Sequence, residues 1–215
     1  MTRVARDALR LYLVVGGLDE TRLLQLVREA LRGGITCLQL REKSISTREF
    51  VSRARLLRDA LRGHRVPLII NDRLDIALAS AADGVHLGQD DLGVDVVRRY
   101  MPRAIVGLSV GSLQELDAGV AQDVDYLSPS PLFATRSKPD AGQPLGLEGL
   151  RAMRGRCTSP LVAIGGIDRG NAEAVFAAGA DGIAVVSAIA GAADPAAASA
   201  ELAAMARRGR AGGPT

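Results

Sequence analysis

Short apolar runs recur along the chain roughly every 25 residues, each followed by a stretch with helical spacing, the rhythm of repeated β–α units. Eight runs read as strands: LYLVV, ITCLQL, PLIIN, GVHLG, AIVGLS, VDYLSPS, PLVAIGG and GIAVVS. In the second, residues two apart share a face, so Leu38 and Leu40 point one way and Cys37, Gln39, Arg41 and Lys43 the other. An edge strand facing water would give that pattern, and so would a binding site built on a strand end. Start signals mark the helices between the strands. Ser46 with Glu49 and Ser112 with Glu115 form capping boxes, and Asp194-Pro195 reads as an N-cap followed by proline at the first helical position. Gly33, Gly63 and Gly179 stand where helices should stop. This alternation predicts an α/β fold, a single closed (β/α)8 TIM barrel over residues 1–207, with 208–215 expected as a disordered C-terminal tail. The alternative is an open doubly wound sheet. Against it, no GxGxxG follows the first strand, where a dinucleotide fold carries its phosphate loop.

Composition narrows the function classes. The chain has 215 residues, 47% hydrophobic and 24% charged, with net charge +3, as expected of a globular domain. Aromatics are 3% and Trp is absent, which argues against base stacking and a nucleic-acid partner. No apolar stretch approaches the ~20 residues of a membrane span, so no membrane partner is expected. The first ten residues lack the apolar core of a signal peptide, and a cytoplasmic location is the expectation. The two cysteines, Cys37 and Cys157, make no CxxC and read as packing residues. A homo-oligomer is left open.

In such a barrel the site is built at the C-terminal ends of the strands. The second strand ends in Gln39, Arg41 and Lys43, the third in Asn71-Asp72, and the fourth runs into Asp90 and Asp91. Ser109 ends the fifth. A long connection carrying Thr135, Arg136, Ser137 and Lys138 follows the sixth, Gly165-Gly166 end the seventh, and Ser187 the eighth. Loops of that length inside a compact domain are often active-site lids. Arg41, Lys43 and Lys138 offer donors to phosphate oxygens. Asp72 and Asp91 suit a hard cation such as Mg2+, which prefers one or two carboxylates, waters and substrate phosphate. Gly165, Gly166 and Ser187 resemble the backbone phosphate cup of barrels after strands seven and eight. A metal with three cations suggests a diphosphate, and a separate cup suggests a second, monophosphate ligand. Taken singly, each motif is more often a solvated charge, a turn or a helix cap. His86 and His64 receive no role.

These residues, in this order, resemble the thiamine-phosphate synthase family, through QLREK, IIND, GVHLGQDD, VGLSVGS, SPLFATRSK, PLGLEGL, VAIGGI and AGADGIAVVSAI. The resemblance implies a transferase of thiamine biosynthesis. It joins 4-amino-2-methyl-5-(diphosphooxymethyl)pyrimidine to a thiazole carboxylate phosphate and releases diphosphate and CO2, with Mg2+ as cofactor. It implies that Gln39, Leu40, Arg41, Glu42, Lys43 and Asn71 bind the pyrimidine diphosphate, helped by Ser109 and Lys138. Asp72 and Asp91 would hold the metal. Thr135, Arg136, Ser137, Gly166, Val186 and Ser187 would serve the thiazole phosphate. Arg41, Lys43, Ser109 and Lys138 are the expected catalytic groups. The chain departs from the family pattern at Ser137, where Thr is common, at Ala134 for Pro, at Gly111 for His, and in LVVGG for LVTD. A thiazole tautomerase of the same fold is the nearest alternative, but its members carry His where this chain has Pro131, and they need no paired metal carboxylates. A non-catalytic phosphate-binding relative would be expected to lose Asp72, Asp91 or Lys138. A phosphosugar isomerase needs an acid–base pair that the sequence does not offer.

Overall fold

The structure is a computed structural model describing residues 4–135 and 142–211. Eight strands form one sheet: β1 (Leu11–Val15), β2 (Cys37–Leu40), β3 (Leu68–Asn71), β4 (Gly84–Leu87), β5 (Ile105–Val110), β6 (Tyr126–Pro129), β7 (Val162–Ile164) and β8 (Gly182–Val185). All pairings are parallel, in the order β6-β5-β4-β3-β2-β1-β8-β7. The ring closes between β6 and β7 through a parallel bridge of Leu127 to Leu161, with Ser128 Oγ donating to Val162 O at 2.8 Å. The closed TIM barrel expected from the strand rhythm is therefore the observed fold, and an open doubly wound sheet is excluded.

Helices α1 (Glu20–Gly33), α2 (Thr47–Ala60), α3 (Leu74–Ser80), α4 (Val94–Tyr100), α5 (Leu113–Val120), α6 (Gly146–Arg154) and α7 (Ala172–Ala177) each follow the strand of the same number. A short α8 (Ser187–Ala190) and a long α9 (Pro195–Ala211) follow β8. The capping residues act as their chemistry dictates. Ser46 Oγ accepts from Glu49 N at 3.2 Å, Ser112 Oγ from Glu115 N at 3.1 Å, and Asp194 Oδ1 from Ala197 N at 2.9 Å. Helix α1 ends at Gly33, as expected, and the left-handed cap that follows is Gly34, at φ 92°; Gly33 itself lies against Ala196 and Ser199 of α9, where a Cβ would collide. Residues 208–211 belong to α9, and Arg208 reaches Glu173 of α7 at 2.6 Å; residues 212–215 lie outside the described residues.

Strand alternation divides the core in two. Leu11, Leu13, Leu38, Leu40, Ile70 and Val85 face the helices, whereas Tyr12, Val14, Cys37, Ile69, Ile105, Tyr126 and Val162 fill the lumen. The N-terminal 3-10 turn (Arg6–Leu9) brings Val4 and Leu9 into the lumen cluster and closes the bottom of the barrel. Gly107 on β5 leaves the space that the Tyr126 ring occupies, for a Cβ there would lie 2.1 Å from the ring.

A second regularity appears at the bottom. The residue just before each even-numbered strand accepts from a backbone N–H at the start of the preceding odd-numbered one. Thr36 Oγ1 takes Leu11 N at 2.9 Å, Asp83 Oδ2 takes Leu68 N at 2.8 Å, Asp125 Oδ2 takes Val106 N at 2.9 Å, and Asp181 Oδ2 takes Leu161 N at 2.9 Å. AADGV and AGADGI, before β4 and β8, carry this role in nearly the same words. Buried backbone donors must find acceptors, and short oxygen-bearing side chains at the strand entries, one hydroxyl and three carboxylates, supply them.

Asp125, 2% exposed and also 2.8 Å from Arg98, is the most enclosed of the four acceptors. Asp125→Ala should cost about 3 kcal/mol, the scale for breaking a buried pair, and lower the thermal midpoint by roughly 6–10 °C. Asp117→Ala, which removes an exposed pair with Arg156, should stay within about 0.5 kcal/mol. Equal midpoints for the two variants in a melting curve would refute the role given to the strand-entry carboxylates.

Candidate active site

At the C-terminal ends of the strands a cavity of about 710 Å3 opens over the lumen. Gln39, Arg41, Lys43, Asn71, Asp72, Asp91 and Ser109 line the arc from β2 to β5, and Thr135, Gly165, Gly166, Val186 and Ser187 line the opposite arc from β6 to β8. The polar alternation in β2 is thus part of a ring of strand ends. Gln39 is buried in the lumen with its Nε2 donating to Tyr12 Oη at 3.0 Å. Arg41 and Lys43 continue the same face out to the mouth.

Two of the residues grouped with them point elsewhere. Leu40 is fully buried toward the helices. Glu42 is buried on that side too, where it accepts from Arg53 at 2.7 Å and from Gly17 N at 3.0 Å. The cause is strand parity: along β2, odd positions reach the lumen and even ones the helix layer. The Glu42 side chain thereby ties the loop after β1 and helix α2 to the strand that carries Arg41 and Lys43.

The acidic group is compact. Lys43 Nζ lies 2.5 Å from Asp72 Oδ2. Asp72 adopts a left-handed φ of 61°, a conformation uncommon outside glycine, held by its N–H donating to His86 O at 2.8 Å. Asp91 Oδ2 accepts from Gly88 N at 2.6 Å. Burial, and then the neighbouring Asp72, push the Asp91 carboxyl above its ordinary value. A carboxyl raised in this way stabilises the fold below the ordinary carboxylate range and loses that contribution as pH rises through its folded value. A cation between the two carboxylates relieves this conflict. Hard oxygen donors with room for water fit Mg2+, and among the described residues no third His, Cys, Asp or Glu joins them. Asp90 also lines the mouth, one step from this pair.

Across the cavity, Gly165 and Gly166 take φ of 107° and 62°. The start of the long connection packs over them: Leu132 N donates to Ile164 O at 2.7 Å and Phe133 N to Gly165 O at 3.0 Å. Leu145 N and Gly146 N return to Pro131 O and Leu132 O at 2.9 Å each, so the loop's two ends are fastened together. Arg136, Ser137 and Lys138 lie outside the described residues. Val186 and Ser187 lead into α8, whose first N–H groups have no partner within the helix.

Sequence reasoning missed the floor of the cavity. Tyr12, His86 and Ser128 line it, and Gln89 holds the Ser109 carbonyl at 2.6 Å. The inward parity of Tyr12 and His86 was the available signal. Gly111, one of the departures from the family pattern, bonds to Glu115 at 2.7 Å and does not line the cavity, whereas Ala134 does.

Residues 11–189 match the family described as thiamine monophosphate synthase. The chain belongs to the thiamine monophosphate synthase family. It is 51% identical over 198 residues to a thiamine-phosphate synthase of Albidiferax ferrireducens, covering 89% of each chain. It is 50% identical over 198 residues to one of Chloroflexus aurantiacus, covering 91% of this chain and 92% of the relative. Thiamine phosphate pyrophosphorylase from Pyrococcus furiosus superposes with a TM-score of 0.87 at 38% identity, over 95% of this chain and 98% of that one. As a member of this family the chain is an enzyme of the transferase class, tied to thiamine biosynthesis. No helix among the described residues is long and apolar enough to cross a membrane.

Gly166 has a packing reason to be glycine, separate from the phosphate role expected of it. A Cβ there would lie 2.5 Å from Ala134 O and 2.9 Å from Phe133 Cβ. Gly166→Ala should therefore cost about 2 kcal/mol through strain and a displaced loop. Gly155→Ala, at a right-handed position with ordinary contacts, should change stability by less than about 0.5 kcal/mol. Urea unfolding of both variants makes the comparison, and a neutral Gly166→Ala would show that the loop yields freely.

Proposed function

We propose that this chain is a thiamine-phosphate synthase. It would join 4-amino-2-methyl-5-(diphosphooxymethyl)pyrimidine to a thiazole phosphate, with or without its carboxylate, and release diphosphate and, from the carboxylated form, CO2. The observation that carries this reading is the two-sided mouth: cations and paired carboxylates on one arc face a glycine- and hydroxyl-lined arc across one cavity. The arrangement suits a diphosphate and a monophosphate held side by side. The family membership supports it independently.

In this reading Arg41, Lys43 and Lys138 grip the diphosphate, Ser109 donates to the same ligand, and Gln39 and Asn71 orient the pyrimidine. Leu40 and Glu42 contribute through the backbone and loop they fix. Thr135, Arg136, Ser137, Gly166, Val186 and Ser187 hold the thiazole phosphate. Asp72 and Asp91 would hold Mg2+, which when bound supplies positive charge to the departing diphosphate. The C–O bond to diphosphate breaks first, leaving a pyrimidine-methyl cation delocalised over ring nitrogens and amine; the thiazole nitrogen then attacks that carbon. The protein's work is charge neutralisation and positioning, with little demand for proton transfer. That fits a cavity whose one histidine, His86, has ring nitrogens 2.9 Å from Tyr126 and Ser109.

The direct test is to incubate the purified protein with both substrates and Mg2+ and to look for thiamine phosphate by chromatography. Absence of product with folded protein would overturn the reading. Asp91→Ala should lower turnover by about 100-fold or more, because a metal ligand goes, and Asp90→Ala by less than about fivefold. Equal losses would mean the metal carboxylate within QDD is misassigned. Lys138→Ala should slow the single-turnover rate by roughly 100-fold, the scale for one transition-state donor. A raised KM with an unchanged single-turnover rate would remove Lys138 from the chemistry.

A further inference from the structure

Beneath the cavity, five polar side chains from five strands form one hydrogen-bonded run through the lumen. Gln39 Nε2 donates to Tyr12 Oη at 3.0 Å, and Tyr12 Oη lies 3.0 Å from Tyr126 Oη. Tyr126 Oη lies 2.9 Å from His86 Nδ1, and His86 Nε2 lies 2.9 Å from Ser109 Oγ. The rings are locked by contact as well. Tyr12 meets Tyr126 edge-on with centroids 6.0 Å apart, and His86 stacks on Tyr126 at 5.6 Å. Gly107 leaves the room that this stack needs.

Hydrogen counting gives the run a direction. A hydroxyl has one hydrogen, and when buried it must find an acceptor. Burial holds both tyrosines well above the ordinary phenol value, so both keep their hydrogens. The Gln39 NH2 group can only donate, so the Tyr12 oxygen accepts there and its own hydrogen goes elsewhere. The strong neighbouring acceptor is Tyr126 Oη; the other, the Cys37 thiol, accepts only weakly. With Tyr12 donating to Tyr126, the Tyr126 hydrogen passes to His86 Nδ1. His86 is then the neutral tautomer protonated at Nε2, and it donates to Ser109 Oγ. Ser109 is left with its own hydrogen directed to the cavity. Run the other way, the chain would leave the Tyr12 hydrogen with the thiol alone.

We propose that Tyr12, Tyr126 and His86 form a one-way hydrogen-bond relay that fixes Ser109 as a donor, and the Gln39 carboxamide oxygen as an acceptor, toward the cavity. The three are positioning residues. The relay suits a ligand that offers an acceptor near Ser109 and a donor near Gln39, as an aminopyrimidine does with its ring nitrogens and exocyclic amine. This assignment of the ligand rests on the reading under Proposed function; the direction of the relay does not.

The first test needs no substrate. His64→Gln leaves His86 as the sole imidazole of the full chain. Long-range 1H–15N correlation of this variant near neutral pH should show His86 protonated at Nε2 and bare at Nδ1. The Nδ1–H tautomer or an imidazolium would overturn the relay. The second test is a double-mutant cycle. Tyr126→Phe keeps the ring and removes the hydroxyl, and should raise KM for the pyrimidine diphosphate about tenfold while leaving KM for the thiazole phosphate within about twofold. In a Ser109→Ala background the same change should alter KM by less than about twofold. Equal losses in both backgrounds would show that Tyr126 does not act through Ser109. If the parent protein makes no thiamine phosphate, the functional reading fails while the tautomer measurement still decides the relay.

Discussion

A closed ring of parallel strands sends every inward-facing side chain into one shared lumen, and the rest of this protein depends on how that space is filled. Apolar groups such as Val14, Ile69, Ile105 and Val162 can fill it without further provision. A polar group there is desolvated and must bring a partner. Gln39, Tyr12, Tyr126, His86 and Ser109 meet that requirement by bonding to each other across five strands. The same constraint that makes a lumen hard to fill with polar residues therefore links one side of the cavity floor to the other.

At the two ends of the barrel the backbone raises opposite problems. At the bottom, strand-entry N–H groups need acceptors, and the Thr36 hydroxyl and the carboxylates of Asp83, Asp125 and Asp181 provide them at alternate strands. These groups belong to the scaffold. At the top, the strands release their loops and the side chains are free to serve a ligand. There Asp72 and Asp91 stand beside each other with Lys43, an arrangement in which like charges are held close and a cation is favoured. Aspartate is thus used twice, as a cap for the backbone at one end and as a concentrated negative charge at the other.

The mouth is held from behind by contacts within the protein. Glu42 and Arg53 pair beneath the strand that carries Arg41 and Lys43, and they fasten the loop after β1 to α2. Across the barrel, the start of the loop after β6 lies against Gly165 and Gly166, with no space for a side chain between them. Both arcs of the cavity are packed against the scaffold at their bases.

Much of this was determined by the sequence. The strand rhythm predicted eight parallel strands, and LYLVV is β1 residue for residue. Capping at Ser46, Ser112 and Asp194 follows from short polar side chains before helical runs, a local interaction that needs no tertiary contact. The polar strand ends, with their order from Gln39 to Ser187, were legible because strand-end position alone places them at one mouth. What lay beyond the sequence depended on partners distant along the chain. Leu40 and Glu42 share a motif with Arg41 and Lys43, yet strand parity turns them to the helix layer, and only Arg53 and Gly17 explain the buried Glu42. Gly33 ends α1, as its place in the sequence suggests, but its second reason to be glycine, the approach of α9 to where a Cβ would stand, comes from the far end of the chain. His86 carried no role in the sequence, for its meaning comes from Tyr126 and Ser109, 40 and 23 residues away. Local geometry and period are written in neighbouring residues; the identity of a hydrogen-bond partner across a lumen is decided only when the ring closes.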